Sequence, residues 1–302
     1  MRLILRATLC FVVLLGMAIA DGRPAAAQGR EDLLPEQSAA KAKAIVQQVI
    51  SALGGRAFLN VRDSDCSGRL AQFGHNGQLM GNTLFRETWL LPSKNRMEYI
   101  TKGQHNIAGY LLGADRLSIV QGGVLITVFD GDRGWVLDKS GVSSQPESAI
   151  KSFAEHVKSG MNTMLRSRMD EEGVEFRYAG SDLVDLKEAE WIEISDRDHR
   201  VFRMAVEKST HLPLRWVVTT RDPETRAQTE IATSYTQFIS VGGIQTPLSV
   251  SRAQNGRQVS QIFFTGCKYN ANISPQLFTP ASLEQRSSAA TKKGYENGEN
   301  PK

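Results

Sequence analysis

The sequence predicts an α+β fold that is mainly β: a single curved antiparallel sheet covered by helices. Short apolar and polar alternations run through 61–137 and 174–269, separated by turn residues, as in antiparallel strands. Two amphipathic patterns, at 35–53 and 147–170, predict the covering helices. The chain has 302 residues, of which 41% are hydrophobic and 23% charged. That apolar content is enough for a core and excludes a wholly disordered protein.

The first 27 residues have the pattern of a secretory signal peptide. Arg2 and Arg6 precede an apolar run, and Ala25-Ala26-Ala27 forms a cleavage site before Gln28, with an earlier site before Asp21 as the alternative. The run is shorter than the about 20 apolar residues that cross a bilayer. We therefore expect a chain exported to the periplasm, with no transmembrane span after cleavage. The predicted divisions are a signal peptide at 1–27, a binding domain at 28–283 and a disordered tail at 284–302.

Charge and motifs exclude several functions. The net charge of +4 falls to +2 without the signal peptide, and no Lys/Arg block is present, so nucleic-acid binding is not expected. The nucleophile elbow, the zinc-protease motif, the P-loop and the dinucleotide fingerprint are all missing, so we predict no enzyme and no cofactor. We interpret the scattered histidines as surface or turn residues; they are His75, His105, His156, His199 and His211.

Two acidic triplets could suggest a cation site. They are Asp130-Gly131-Asp132 and Asp196-Arg197-Asp198, and neither continues into a calcium loop with its distant glutamate. Aspartates in turns commonly bond nearby backbone amides. We interpret both triplets as turn caps and predict no metal.

The elements follow in a clear order. The first helix ends at Gly54-Gly55, and Asn76-Gly77 predicts a hairpin between a strand ending near Phe73 and one over 79–91. Strands over 96–100, 124–129 and 134–137 precede the helical insert at 147–170, which Gly160 interrupts. Seven further strands are predicted at 174–179, 190–195, 202–208, 212–220, 230–239, 244–253 and 257–269.

Two cysteines remain after the predicted cleavage, Cys66 and Cys267. Export would place them where thiols oxidise, and both fall in predicted strands that could lie side by side. A disulfide and two separate buried thiols are both compatible with the sequence.

The order of these features resembles the LolA/LppX-like outer-membrane lipoprotein carrier superfamily. The resemblance covers about 36–281, and it rests on the succession of motifs rather than on one of them. These are the signal peptide, Leu53-Gly54-Gly55, strand-Pro-strand at 90–99, Asp130-Gly131 before Trp135, the helical insert, the Gly242-Gly243 turn with Pro247, and Phe278-Thr279-Pro280.

The resemblance implies a half-barrel, open on one side, whose helices cover an apolar cavity for acyl chains. The side chains expected on the cavity wall are Phe85, Trp89, Met97, Tyr99, Phe202, Met204, Trp216 and Phe263. The insert would form a lid through Ile150, Phe153, Val157, Met161 and Met164. Ordinary core packing is the alternative for both sets.

The implied function is a periplasmic carrier or binding protein for lipid or lipoprotein acyl chains. Its partners would be a lipid or acylated lipoprotein and donor and acceptor proteins of the inner and outer membranes. One departure is Leu91, which occupies the position before Pro92 where the lipoprotein carriers have a lid-binding arginine. Arg96 is nearby, but we do not transfer the role to it. The alternative function is an RseB-like periplasmic regulatory module that senses envelope lipoproteins and binds a protein partner.

Overall fold

The computed structural model describes residues 33–108, 117–198, 200–221 and 226–287, without the side chains of 100–124. The predicted signal peptide and most of the predicted tail lie outside this part of the chain. The helices are α1 (Pro35–Leu53), α2 (Arg56–Leu59), α3 (Glu147–Ser159) and α4 (Met161–Thr163). A π-helical turn (Met164–Arg168) continues α4, and a 3-10 turn (Pro275–Phe278) precedes a last helix at 280–287. Among the described helices, none has the length and apolarity to cross a membrane.

Thirteen strands form one sheet, and every neighbouring pair is antiparallel. Their order is β6-β5-β4-β3-β2-β1-β13-β12-β11-β10-β9-β8-β7, and the sheet does not close. This confirms the predicted fold class. The strands are β1 (Asp63–Phe73), β2 (Leu79–Leu90), β3 (Lys94–Ala108), β4 (Leu117–Asp130), β5 (Arg133–Asp138), β6 (Gly141–Ser144), β7 (Glu175–Val184), β8 (Lys187–Ser195), β9 (Val201–Glu207), β10 (Pro213–Arg221), β11 (Gln228–Val241), β12 (Ile244–Gln254) and β13 (Arg257–Tyr269).

The topology decides where the helical insert lies. The chain runs from β1 at the centre of the sheet outward to β6 at one edge, and it returns from β7 at the other edge to β13 beside β1. Because α3, α4 and the π-helical turn connect the two edges, they cross the inner face of the curved sheet. The sequence did not predict β6, since four residues are too few to show an alternation.

A close backbone contact explains why glycine stands at the end of α1. Gly54 adopts a φ of 126°, and a Cβ atom there would lie 2.4 Å from the carbonyl oxygen of Gly243. Gly243 itself lies in the turn between β11 and β12. Any side chain at position 54 would push α1 away from the sheet. This contact joins two of the glycine motifs on which the superfamily resemblance rests.

The inner face is filled on the side of β7–β10. Val46 and Val49 of α1 are fully buried there in one cluster with Phe202 and Met204 of β9. Ser38 adds a polar contact, because its hydroxyl accepts a hydrogen bond from the Tyr178 N–H at 2.9 Å. The helix therefore seals this part of the sheet as an ordinary hydrophobic core.

Helical cover also occurs on the outer face, where none was predicted. Ile126 and Val128 of β4 point outward and pack against Phe278 and Leu283. Arg96 lies on the same face and donates to the Leu277 carbonyl at 3.0 Å. The predicted domain boundary after residue 283 therefore falls inside the helix at 280–287, which is held to the sheet by these contacts.

Cys66 and Cys267 lie directly opposite each other on β1 and β13, with their Cα atoms 4.1 Å apart and their sulfur atoms bonded. The bridge spans a sequence separation of 201 residues. It links the strand that starts the sheet with the strand that ends it, so it closes a loop that contains almost the whole fold.

We expect thiol titration of the denatured, unreduced mature chain to find no free thiol. Reduction should then lower the melting temperature, since removing a native disulfide typically costs about 2–4 kcal/mol. The Cys66→Ser/Cys267→Ser double variant is the control, because its melting temperature should not respond to reductant. Two titratable thiols in the wild type would refute the bridge.

Candidate ligand-binding cavity

A cavity of 1030 Å³ lies between the inner face of the sheet and the helices α2, α3 and α4. Its size is at the upper end of the about 300–1,000 Å³ typical of ligand sites. Strands β1–β3 and β10–β13 supply its wall through side chains at alternating positions. Most of this wall is aliphatic or aromatic, including Met97, Val218, Ile231, Val250, Ile262 and Phe264.

Four of the eight predicted wall residues line this cavity: Trp89, Met97, Tyr99 and Trp216. Trp216 stands at its border with the filled core, because its ring stacks on Phe202 with centroids 5.4 Å apart. Its indole N–H donates to the Ser159 carbonyl at 2.9 Å, which attaches the end of α3 to the sheet.

The other four lie elsewhere. Phe202 and Met204 face inward but are completely covered by the core under α1. Phe85 also faces inward, packed against Phe264 with ring centroids 5.8 Å apart. Phe263 is 42% exposed, on the outer face. Alternation predicts the face of a strand correctly for Phe202, but it does not tell which part of that face a helix seals.

The insert covers the cavity, although only two of its five predicted lid residues face it. Val157 and Met161 line the cavity, whereas Met164 is buried in the core with α1. Phe153 fixes α3 to the sheet, because its ring stacks on Phe129 at 4.2 Å and on Trp89 at 5.8 Å. Ile150 precedes this anchor and does not line the cavity.

The strand-turn proline and Arg96 lie on opposite faces of the sheet. Leu91 and Pro92 line the cavity. Arg96 instead lies on the opposite face, where its Nε donates to Glu98 at 2.7 Å. The missing arginine before Pro92 is therefore not replaced by this neighbour.

A carboxylate on strand β2 faces the largely apolar cavity. Glu87 of β2 accepts a hydrogen bond from Asn95 Nδ2 at 3.2 Å and another from Trp89. Burial raises the pKa of Glu87, and the two hydrogen bonds and the charge of Arg252 only partly oppose this shift. Burial also raises the pKa of the neighbouring Tyr99 hydroxyl.

A histidine and an arginine meet across the cavity near this carboxylate. Arg252 Nη2 of β12 lies 3.2 Å from His156 Nδ1 of α3. Because arginine only donates, the histidine ring nitrogen accepts, which requires neutral imidazole. Burial, assisted by the charge of Arg252, lowers the pKa of His156 to about 3. The interpretation of His156 as a surface or turn residue is therefore wrong.

Acidification should destabilise the protein through His156. Its pKa is about 3 in the folded state against an ordinary 6.5, so only the unfolded state takes up a proton between these values. Stability is therefore full above 6.5 and falls as the pH drops toward 3. Allowing for the part of the ring that remains accessible, we expect a loss of about 1–2 kcal/mol between pH 7 and 5. Urea unfolding at both pH values measures it.

The matched variants for this test are His156→Gln and His75→Gln. The first should flatten the pH dependence because glutamine does not titrate. The second should leave it unchanged because His75 is an exposed turn residue. An unchanged pH dependence in His156→Gln would contradict the buried, neutral imidazole.

Sequence analysis missed Glu87 and Arg252 as cavity residues. The signal was present, because Glu87 is two residues from Trp89 and Arg252 two residues from Val250, and both neighbours line the cavity. A charged residue at an inward position of an alternating strand is thus the pattern that identifies them.

The second of the two acidic triplets caps its turn as predicted, whereas Asp130 of the first pairs with basic side chains. Asp196 Oδ1 accepts from the N–H groups of Asp198 and Arg200, both at 3.1 Å. Asp130 forms ion pairs with Lys94 and Arg133. Within the part of the chain that the structure describes, no group of three or more His, Cys, Asp or Glu side chains could hold a metal ion.

A second, smaller depression of 660 Å³ lies between α1 and the edge strand β7. Charged side chains line it, including Lys43, Glu175, Arg177 and Glu193. It has the character of a solvated groove, so the large apolar cavity is the candidate site.

The protein has an unclosed antiparallel sheet with helices over an apolar cavity, which is the arrangement of a half-barrel fold. Solved structures similar to this chain include a LolA superfamily protein from Nitrosomonas europaea, with 10% identity, a TM-score of 0.48, and coverage of 80% of this chain and 99% of that one. A domain from Vibrio parahaemolyticus described as an outer membrane lipoprotein-sorting protein has 11% identity, a TM-score of 0.49, and coverage of 82% and 99%. Lipoprotein LppX from Mycobacterium tuberculosis has 12% identity, a TM-score of 0.29, and coverage of 78% and 98%.

No protein-family model matches the chain, and no curated protein matches it. At these identities and TM-scores the neighbours do not bear on the ligand, which has to be inferred from the cavity itself.

Proposed function

We propose that the protein is an exported, non-catalytic carrier or binding protein for lipid or lipoprotein acyl chains, acting in the periplasm. The observation that carries this proposal is the 1030 Å³ cavity with its aliphatic and aromatic wall. Each methylene group moved from water into such a wall contributes about 0.8 kcal/mol, so even one acyl chain would bind with useful affinity.

The position of the helices supports the same proposal. Phe153 and Trp216 attach α3 to the sheet at two points, by ring stacking and by the indole hydrogen bond to Ser159. Val157, between these points, and Met161, just after them in α4, present apolar surface to the cavity. An acyl chain held beneath α3 would therefore be shielded from water by the helix on one side and by the sheet on the other.

Binding of a neutral naphthylamine probe, followed by its displacement with an acyl lipid, tests the proposal. Ile262 of β13 lines the cavity, so Ile262→Trp should fill it and weaken probe binding by about tenfold or more. The next residue, Phe263, points outward, so Phe263→Trp should bind the probe like the wild type.

Val250→Phe is a second filling variant, on the neighbouring strand β12, in case Ile262→Trp does not fold. A wild-type protein that binds no probe, or equal binding by the inward and outward variants, would contradict the proposal. The first outcome would favour the alternative, an RseB-like protein-interaction module.

A further inference from the structure

The π-helical turn gives Arg166 a special position. Within Met164–Arg168, Met164 and Leu165 are buried in the core and Arg168 is buried against Asp196, whereas Arg166 lines the cavity. A π-helical turn changes the direction in which successive side chains point, and such turns are frequent at functional sites. Here the turn places the Arg166 guanidinium on the cavity wall.

Arg166 has few partners for its five N–H groups. Its Nε donates to the Phe58 carbonyl at 3.0 Å, and the guanidinium carbon lies 4.3 Å from the centre of the Phe58 ring. Among the described residues, no carboxylate and no other acceptor bonds its terminal nitrogens. Both contacts hold the guanidinium in place without neutralising its charge.

Two arginines near the helical insert, Arg168 and Arg200, are paired with carboxylates. Arg168 bonds Asp196 at 3.0 Å, Glu171 at 3.0 Å and the Lys158 carbonyl at 2.6 Å. Arg200 bonds three carboxylates, those of Glu155, Asp196 and Asp198. The fold thus provides acidic partners for its structural arginines, and Arg166 differs from them in facing the cavity with its charge uncompensated.

The surroundings of Arg166 suit an anionic group. Burial lowers the pKa of Arg166 to about 10, which the nearby Tyr269 only partly opposes. The Tyr269 hydroxyl pairs with that of Thr246 at 2.9 Å, so two hydroxyls stand beside the guanidinium.

The two carboxylates of the cavity wall do not neutralise the charge of Arg166. Glu87 interacts with Arg252, and Glu155 is engaged by Arg200 at 2.7 Å. An anion beside Arg166 would therefore be attracted by its guanidinium, because both acidic wall residues already interact with other arginines.

We propose that the cavity ligand is an anionic lipid whose carboxylate or phosphate group binds Arg166, while its acyl chain lies against the apolar wall. This rests on the proposed function and adds the charge of the ligand to it. Guanidinium groups bind both anions through paired hydrogen bonds, which are stronger when both partners are charged.

The test compares ligands with the same chain and different heads: dodecanoate, dodecyl phosphate and dodecanol, each displacing the naphthylamine probe at neutral pH. The wild type should bind the two anions about tenfold more tightly than dodecanol, the effect of one charge-assisted hydrogen bond. Arg166→Met should remove that difference, because it weakens binding of the two anions more than binding of dodecanol. Arg166→Lys should retain part of it, and Arg177→Met, an exposed ion-pair residue on β7, should behave as wild type.

The outcomes separate the two proposals. If all three ligands displace the probe with equal affinity, the anionic ligand is overturned and the carrier function stands. If none displaces it, the carrier function fails as well. Inorganic phosphate is the fourth ligand tested, and it should displace the probe only weakly. If it displaces the probe as well as dodecyl phosphate does, the site binds a free anion rather than a lipid. Arg166→Lys keeps the test valid should Arg166→Met not fold.

Discussion

Phe202→Ala should lower the free energy of unfolding by about 3–5 kcal/mol, the usual cost of truncating a phenylalanine in a packed core. Phe202 is completely buried and stacks on Trp216, with α1 packed above it. Because these neighbours are held by the helix and the sheet, they cannot collapse into the space that the ring leaves. Denaturant unfolding of the variant and the wild type measures the difference.

Phe263→Ala is the matched control. Phe263 is 42% exposed on the outer face, so its truncation should cost less than about 1 kcal/mol. Ligand affinity gives a second readout: Phe202→Ala should retain probe binding, since the residue does not line the cavity. A small stability loss together with lost probe binding would instead place Phe202 on the cavity wall.

Arg168→Met should cost about 3 kcal/mol, because it removes the partner of a fully buried carboxylate. The Arg168 and Asp196 side chains are 5% and 0% exposed, and their charged atoms lie 3.0 Å apart. Burial alone would raise the pKa of Asp196, but hydrogen bonds from Arg200 and Arg168 outweigh it and lower the pKa to about 2. Asp196 therefore stays charged, and breaking such a buried pair costs about 3–5 kcal/mol. Because Arg200 still pairs with Asp196 in the variant, we expect a loss at the lower end of this range.

An exposed ion pair provides the comparison. Arg177 and Glu193 lie 2.7 Å apart, but the arginine side chain is 53% exposed, so Arg177→Met should cost at most about 1 kcal/mol. Chemical denaturation of both variants gives the two values. Equal losses at both sites would mean that Arg168 does not compensate a buried charge.

The sequence predicts the sheet well because its strands carry a local signal. A strand is recognised from the alternation of residues within it, and a hairpin from the two residues of its turn. The Asn76-Gly77 and Asn255-Gly256 turns each join two strands that pair with each other. The same alternation predicts which side chains face inward, as with Met97 and Trp216. Strand order follows less directly, since the pairing of β1 with β13 depends on residues about two hundred positions apart.

What the sequence does not reveal is where the inner face is filled and where it is open. Phe202 and Met97 have the same local pattern, yet α1 covers the first and leaves the second on the cavity wall. The position of a helix over a sheet depends on distant contacts, such as that of Gly54 with Gly243. The insert shows the same dependence: Met161 and Met164 both belong to the core cluster, but only Met161 also lines the cavity.

Native mass spectrometry of the protein, expressed from its full sequence in a Gram-negative host and purified with the lipids that it retains, tests the central claim most directly. The account predicts a population with a bound lipid mass, identified as an acylated species after extraction. That population should be lost in Ile262→Trp, which fills the cavity, and kept in Phe263→Trp on the opposite face. Recovery of the wild type without any bound lipid, and without uptake of acyl lipids added to it, would contradict the claim that this cavity holds acyl chains.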